Sequence, residues 1–209
     1  NVLVFSNQYN GIFCDEKTAG IEIIQRGERI STGGGVRLMN TPEQWDIYAE
    51  LVERTVDKAS NTITVDFVYK QYDFNYSIKV TPAEQGVKMA VYLDKPVPAE
   101  LVGKAGLNME FFPAPYFGKT YMMNGKSAIL PRHPASSVDA RPVEEKVTQI
   151  FGLSTFDDRG RGEFLVAHPI ATGNNLVLAP EDDDLRVTFT SESEINLYDG
   201  RNLSQNGTF

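Results

Sequence analysis

Apolar and polar side chains alternate along most of this chain in short runs, broken by Gly, Asn, Asp or Pro at intervals of roughly 8 to 12 residues, the spacing of an all-β fold. The clearest run is TITVDFVY, where Ile63, Val65, Phe67 and Tyr69 alternate with Thr64, Asp66 and Val68. A period of two gives such a strand one face for a core. The same reasoning predicts strands at Val2 to Phe5, Ile21 to Gln25, Thr62 to Tyr69, Tyr76 to Thr81, Val87 to Leu93, Gly106 to Phe112, Val147 to Phe151, Glu163 to Ala167, Asn175 to Leu178, Leu185 to Thr190 and Glu194 to Tyr198. Strands in that number build an all-β, antiparallel fold of two packed sheets, with at most one or two short helices. One segment competes: TPEQWDIYAELVERTVDKAS sets Trp45, Tyr48, Val52 and Val56 at helical spacing, with Thr41 as a cap and Pro42 at the first helical position. Helix and strand both stand open over residues 42 to 56.

Composition narrows the partners. A chain of 209 residues, 41% hydrophobic and 23% charged, can bury one large core, and neither a repeat nor a Pro/Ser/Gly-rich linker divides it, so a single domain over 1–209 is expected. A net charge of -8 opposes a nucleic-acid phosphate track. The longest apolar run, Met89 to Leu93, falls far short of the roughly 20 residues of a membrane-spanning helix. Cys14 is the single cysteine, which leaves no internal disulfide and no thiolate cluster for zinc. The chain begins at Asn1 without Met, as it would after removal of a leader or after trimming of its start.

The short motifs have mostly structural readings. MNGKSA ends like a phosphate loop, but Thr120 stands where that loop needs its first Gly, and Asn124-Gly125 reads as a hairpin turn. STGGGVRL is not followed by a helix pattern that could hold a phosphate, so a flexible turn is expected. PEDDDLRV gathers Glu181, Asp182, Asp183 and Asp184 without the alternating spacing of a calcium loop and reads as a solvated turn. FDDRGRGEF, with Asp157, Asp158, Arg159 and Arg161, reads likewise. His133 and His168 each precede Pro, which pins their backbone to extended or turn geometry. A sugar epimerase would need such a His with a carboxylate in one cleft, and no motif links them. No Gly-x-Ser-x-Gly elbow is present. Neither a catalytic residue, a metal nor a cofactor is expected.

LNMEFFPAPYFGKTYMMNG, residues 107 to 125, is the most aromatic stretch. Alternation sends Leu107, Met109 and Phe111 to the core and Asn108, Glu110 and Phe112 the other way, until Pro113 ends the strand. Tyr116, Phe117 and Tyr121 lie beyond that break, as a rim loop on which the apolar face of a sugar could stack.

LVGKAGLNMEFFPAPYFGKTYMMNG, then LPRHP, GGGVRLMNTPEQWD and INLYDGRNLSQNGTF together resemble the N-terminal β-sandwich region of bacterial multidomain glycoside hydrolases similar to family 9 endoglucanases. The resemblance spans nearly the whole chain. It implies a large sandwich of the mutarotase-like type, in a parent protein that is exported, periplasmic or attached to the cell envelope. It also implies downstream immunoglobulin-like and catalytic modules and hydrolysis of β-glucans by carboxylates that belong to a helical barrel. This chain has no succession of long amphipathic helices for that barrel, so no catalytic residue carries over. The expected role is a non-catalytic accessory domain that braces or extends the catalytic module. The alternatives are an autonomous carbohydrate-binding module, using Trp45, Tyr116, Phe117 and Tyr121 with Arg132 and His133, and a mutarotase-like enzyme using His133 or His168. Asn206-Gly207 reads as a turn feeding a further strand, so continuation beyond Phe209 is expected.

Overall fold

The structure is a computed structural model that describes residues 1–9, 17–18, 20–38, 49–134, 138–142, 163–202 and 208–209. The chain is all-β, as the alternation predicts, with three antiparallel sheets of four strands among the described residues. The contacts fall into two compact units that part between Glu110 and Phe111.

The first unit runs through β1 (Val2–Val4), β2 (Gln8–Tyr9), β3 (Lys17–Thr18), β4 (Ile21–Gln25), β5 (Glu28–Leu38), β6 (Glu50–Asp57), β7 (Thr62–Tyr69), β8 (Phe74–Ala83), β9 (Gly86–Leu93) and most of β10 (Ala105–Phe111). Its two four-stranded sheets have the orders β1-β4-β5-β10 and β6-β7-β8-β9. One hydrophobic cluster joins Val4, Ile21, Val36 and Leu38 of the first sheet to Val65, Phe67, Tyr69, Phe74, Tyr76, Ile78 and Val80 of the second. The predicted inward row of β7 is there, with Ile63 only half buried. Arg26 and Gly27 turn β4 into β5 with φ of 48° and 89°, the positive pair that a two-residue hairpin requires.

Three expectations change in this unit. The three glycines of STGGGVRL are not a flexible turn; they lie inside β5. A Cβ on Gly34 would come within 2.8 Å of the Ile21 carbonyl oxygen, and one on Gly33 within 2.7 Å of Glu110, so the glycines let strands and side chains approach closely. Residues 50 to 57 form β6, paired with β7 from Glu50↔Val68 to Asp57↔Thr62, rather than a helix. The β-branched Val52, Thr55 and Val56 fit that pleated surface. Residues 41 to 48, Trp45 included, lie outside the described residues. Leu107, expected in the core, is 42% exposed on β10, the outermost strand of its sheet, although Ala105 and Met109 on either side of it pack against the core.

The second unit follows Pro113 with the single helical turn α1 (Pro113–Tyr116), then β11 (Thr120–Met123), β12 (Lys126–Ile129), β13 (Val138–Pro142), β14 (Glu163–Ala167), β15 (Ala171–Leu178) and β16 (Val187–Leu197). Its sheet has the order β12-β11-β15-β16, with β13-β14 as a separate pair. Asn124 and Gly125 form the expected hairpin turn, with φ of 49° and 78°. The two strands expected at 185 to 198 are one continuous β16. The expected strand at 147 to 151 lies outside the described residues. Phe111, Tyr116, Tyr121, Met123, Leu130, Leu176, Leu178, Leu197 and Phe209 are buried. Phe111 meets Tyr116 and Phe189 edge-on at 5.6 and 5.8 Å between ring centres. Its backbone exchanges both hydrogen bonds with Phe209, at 2.8 and 3.0 Å.

Candidate functional site

Of the proposed sugar-facing residues, the structure leaves some on the surface and withdraws others. Tyr116 is 0% exposed. Pro113 does not send the chain into an open loop but starts α1, which turns Tyr116 inward against Phe111, where its hydroxyl donates to the Leu185 carbonyl at 2.9 Å. Burial, with the nearby Asp182 charge, pushes that hydroxyl above the ordinary tyrosine value of 10.0. Tyr121 points to the buried side of β11, opposite Leu178, and is 7% exposed. It touches an open depression of about 210 Å3, shared with Met123, Lys126, Ser127 and Thr172. Neither ring offers a free face. Phe117 does, at 39% exposed, and Arg132 and His133 are exposed as well. Trp45 lies outside the described residues.

Phe117 and the Pro131–Arg132 backbone are brought together by Arg201, which the sequence reading did not single out. The Arg201 guanidinium donates Nε to Asp199 Oδ1 at 2.8 Å and Nη2 to Asp199 Oδ2 at 2.7 Å. It also reaches the carbonyls of Pro131 at 2.6 Å and Arg132 at 3.0 Å. Its plane lies over Phe117 and Phe209, 4.9 and 4.4 Å from the ring centres. The Asp199 side chain is 0% exposed and that of Arg201 8%. A planar fork with five donors suits this geometry, in which a carboxylate, two carbonyls and two rings converge. The sign in the sequence was YDGR, an Asp just before a short 3-10 turn and an Arg within it.

The acidic turn is held by its own chain. Lys119 donates to Asp182 at 2.7 Å, and the Thr120 amide donates to Glu181 at 2.7 Å. Asp182 also accepts from the Asp184 amide at 3.1 Å, and Arg186 pairs with Asp183. The Lys119 hydrogen bond holds the Asp182 carboxyl below its ordinary 3.8, while Asp182 raises Lys119 above 10.5. The Thr120 amide does the same to Glu181, below 4.5. These contacts fasten the 180–186 turn to the start of β11. No group of three or more His, Cys, Asp or Glu is placed to hold a metal ion among the described residues.

In the first unit, register sorts the second sheet into two faces. The outer face carries Thr64, Asp66, Ser77, Lys79, Lys88, Ala90 and Tyr92, and the Ser77 hydroxyl donates to Asp66 at 2.5 Å. Tyr92 is 55% exposed and was not among the sequence candidates. Its place followed from alternation along VKMAVYL, once Val87, Met89 and Val91 are assigned to the core face. His168 is exposed after β14, and Asp157, Asp158, Arg159 and Arg161 lie outside the described residues.

Comparison of the chain with protein-family models, with curated proteins and with solved structures finds no match in any of the three.

Proposed function

We propose that the chain is a non-catalytic accessory β-sandwich module of a polysaccharide-degrading glycoside hydrolase of the β-glucan class, bracing or extending the catalytic module of an exported or envelope-attached bacterial parent. One observation carries this reading. Two of the strings behind the resemblance, LPRHP and NLYDGRN, meet at Arg201, whose charge is neutralised by Asp199 and whose remaining donors close on backbone carbonyls. Charged residues spent on each other and on the backbone build a shape, and the Asp199–Arg201 pair is used in that way. Among the described residues no helix is long and apolar enough to cross a membrane.

A second reading, an autonomous carbohydrate-binding module, is favoured by Phe117. Its ring is supported from within by Arg201 and accessible from outside, near the chain that carries Arg132 and His133. Two assays separate the readings. Incubated with carboxymethylcellulose or xyloglucan, the chain should release no reducing sugar; release abolished by replacing one Asp or Glu of this chain would overturn the non-catalytic assignment. In native gels containing those glucans, a brace migrates as in their absence. Retardation that Phe117→Ala relieves decides for the binding module.

A further inference from the structure

Strand β9 is the outer strand of the sheet β6-β7-β8-β9. It pairs with β8 in unbroken register from Tyr76↔Leu93 to Ala83↔Gly86. Among the described residues no backbone hydrogen bond reaches it from another segment. An outer strand offers a row of N–H and C=O groups to any extended chain, and proteins block such edges with bulges, prolines or charges. The other edge of this sheet is blocked in that way: β6 carries Glu50, Glu53, Arg54 and Asp57, and its register breaks between Leu51 and Glu53. By contrast β9 reads GVKMAVYL, with Lys88 its only charge, and it leaves Tyr92 55% and Leu93 44% exposed.

We infer that β9 is a docking edge for a second copy of this chain, the two β9 strands pairing antiparallel about a twofold axis through Ala90. The occupant follows from the strand's self-complementarity in that register. Val87 falls opposite Leu93 of the second copy and Met89 opposite Val91, all on the core face defined by β8. On the outer face Ala90 meets Ala90, and Lys88 meets Tyr92, whose ring accepts the lysine stem and its charge. Asp94, exposed just past the strand, becomes the diagonal neighbour of Lys88 in the other copy, about 7 Å away and opposite in charge. Moving the register by two residues one way sets Gly86 against Tyr92 and Lys88 against Ala90. Moving it the other way sets Lys88 against Asp94 but carries Val87 past the end of the strand and shortens the paired run to Met89–Leu93. The twofold through Ala90 pairs every residue from Val87 to Leu93 within the strand, and the result is one continuous sheet across both copies.

Sedimentation velocity of the 209-residue chain across a range of concentrations should show a monomer–dimer equilibrium. Ala90→Lys, which sets two like charges face to face on the exposed side, should leave a monomer that melts where the native chain melts at concentrations too low for the dimer. Lys88→Glu should raise the dissociation constant at least tenfold, and combining it with Asp94→Lys should recover most of that loss. The axis itself is read by oxidation in a Cys14→Ser background. Ala90→Cys should give a disulfide-linked dimer, because directly opposed residues sit about 4.5 to 5.5 Å apart, within disulfide reach. Tyr92→Cys should not, since two copies of that position lie about 13 Å apart along the strands. A chain that sediments as a monomer throughout overturns the proposal, whatever other strand the edge then takes. So does a dimer that survives Ala90→Lys, ignores the charge exchange and cross-links no better at position 90 than at 92.

Discussion

Replacing Arg201 by Met tests whether the second unit depends on the clamp. The methionine fills much of the arginine's space and keeps an apolar stem between Phe117 and Phe209, so the change removes mainly the charge and its donors. Asp199, 0% exposed, is then left as a buried carboxylate without its cation, and the carbonyls of Pro131 and Arg132 lose their donor. Breaking one side of a buried pair costs about 3 to 5 kcal/mol. That is a large share of the roughly 5 to 15 kcal/mol that holds a typical domain folded. The assay is a urea titration followed by circular dichroism, with the stability read from the midpoint and slope. Asp199→Ala combined with Arg201→Met should cost less than the sum of the two single changes, because the double variant buries no unpaired charge. A single Arg201→Met variant that loses under about 1 kcal/mol would behave as exposed ion pairs do and would refute the clamp.

The other predictions concern packing and titration. Tyr116→Ala should cost about 3 to 5 kcal/mol, as Phe111→Ala should, because both rings are buried, whereas Phe117→Ala should cost about 1 kcal/mol; denaturant midpoints compare the three. Gly34→Ala should cost about 1 to 3 kcal/mol, since its Cβ would meet the Ile21 backbone, while Gly106→Ala, with nothing within 4 Å, should stay within about 0.5 kcal/mol in thermal melts. Asp182 is depressed below 3.8 in the fold, so what it contributes is present above that value and lost as pH falls through the lower folded one; Lys119→Met should flatten this acid limb of the melting temperature. Tyr116 is raised above 10.0, so its contribution is whole below pH 10 and lost as pH climbs further, and Tyr116→Phe should flatten the alkaline limb.

Where neighbouring residues decide the outcome, the fold was legible. The inward row of β7 and the Asn124-Gly125 turn are local facts, set by a period of two and by positive φ. The misreadings come from partners distant in sequence. STGGGVRL has the composition of a loop, and only Glu110, Met109 and Ile21 packed over it show why a strand would carry Gly33 and Gly34. Tyr116 lies past a proline that ends a strand, yet the helical turn begun there hands its hydroxyl to Leu185, far along the chain. Val52 and Val56 satisfy a helical spacing and a strand equally well until β7 supplies the pairing.

The candidate site was hidden for the same reason. Arg201 is an ordinary charged residue by sequence, next to a Gly in a turn. Its carbonyl partners stand 69 and 70 positions away, and nothing local forecasts that LPRHP and NLYDGRN would close on one guanidinium. That closure bears on how LPRHP and NLYDGRN are to be interpreted. A string that serves chemistry would have to leave its polar atoms facing a ligand, whereas here the Asp199 carboxylate faces its own arginine and the arginine its own backbone. Among the described residues, what a ligand can meet near the clamp is on the outside, the Phe117 ring with the Arg132 and His133 side chains, and separately there is the Tyr92 face of the first unit. A glycan that binds the chain must therefore be recognised by exposed residues around the clamp rather than by the clamp itself. Phe117→Ala then reports on binding, and Arg201→Met on folding.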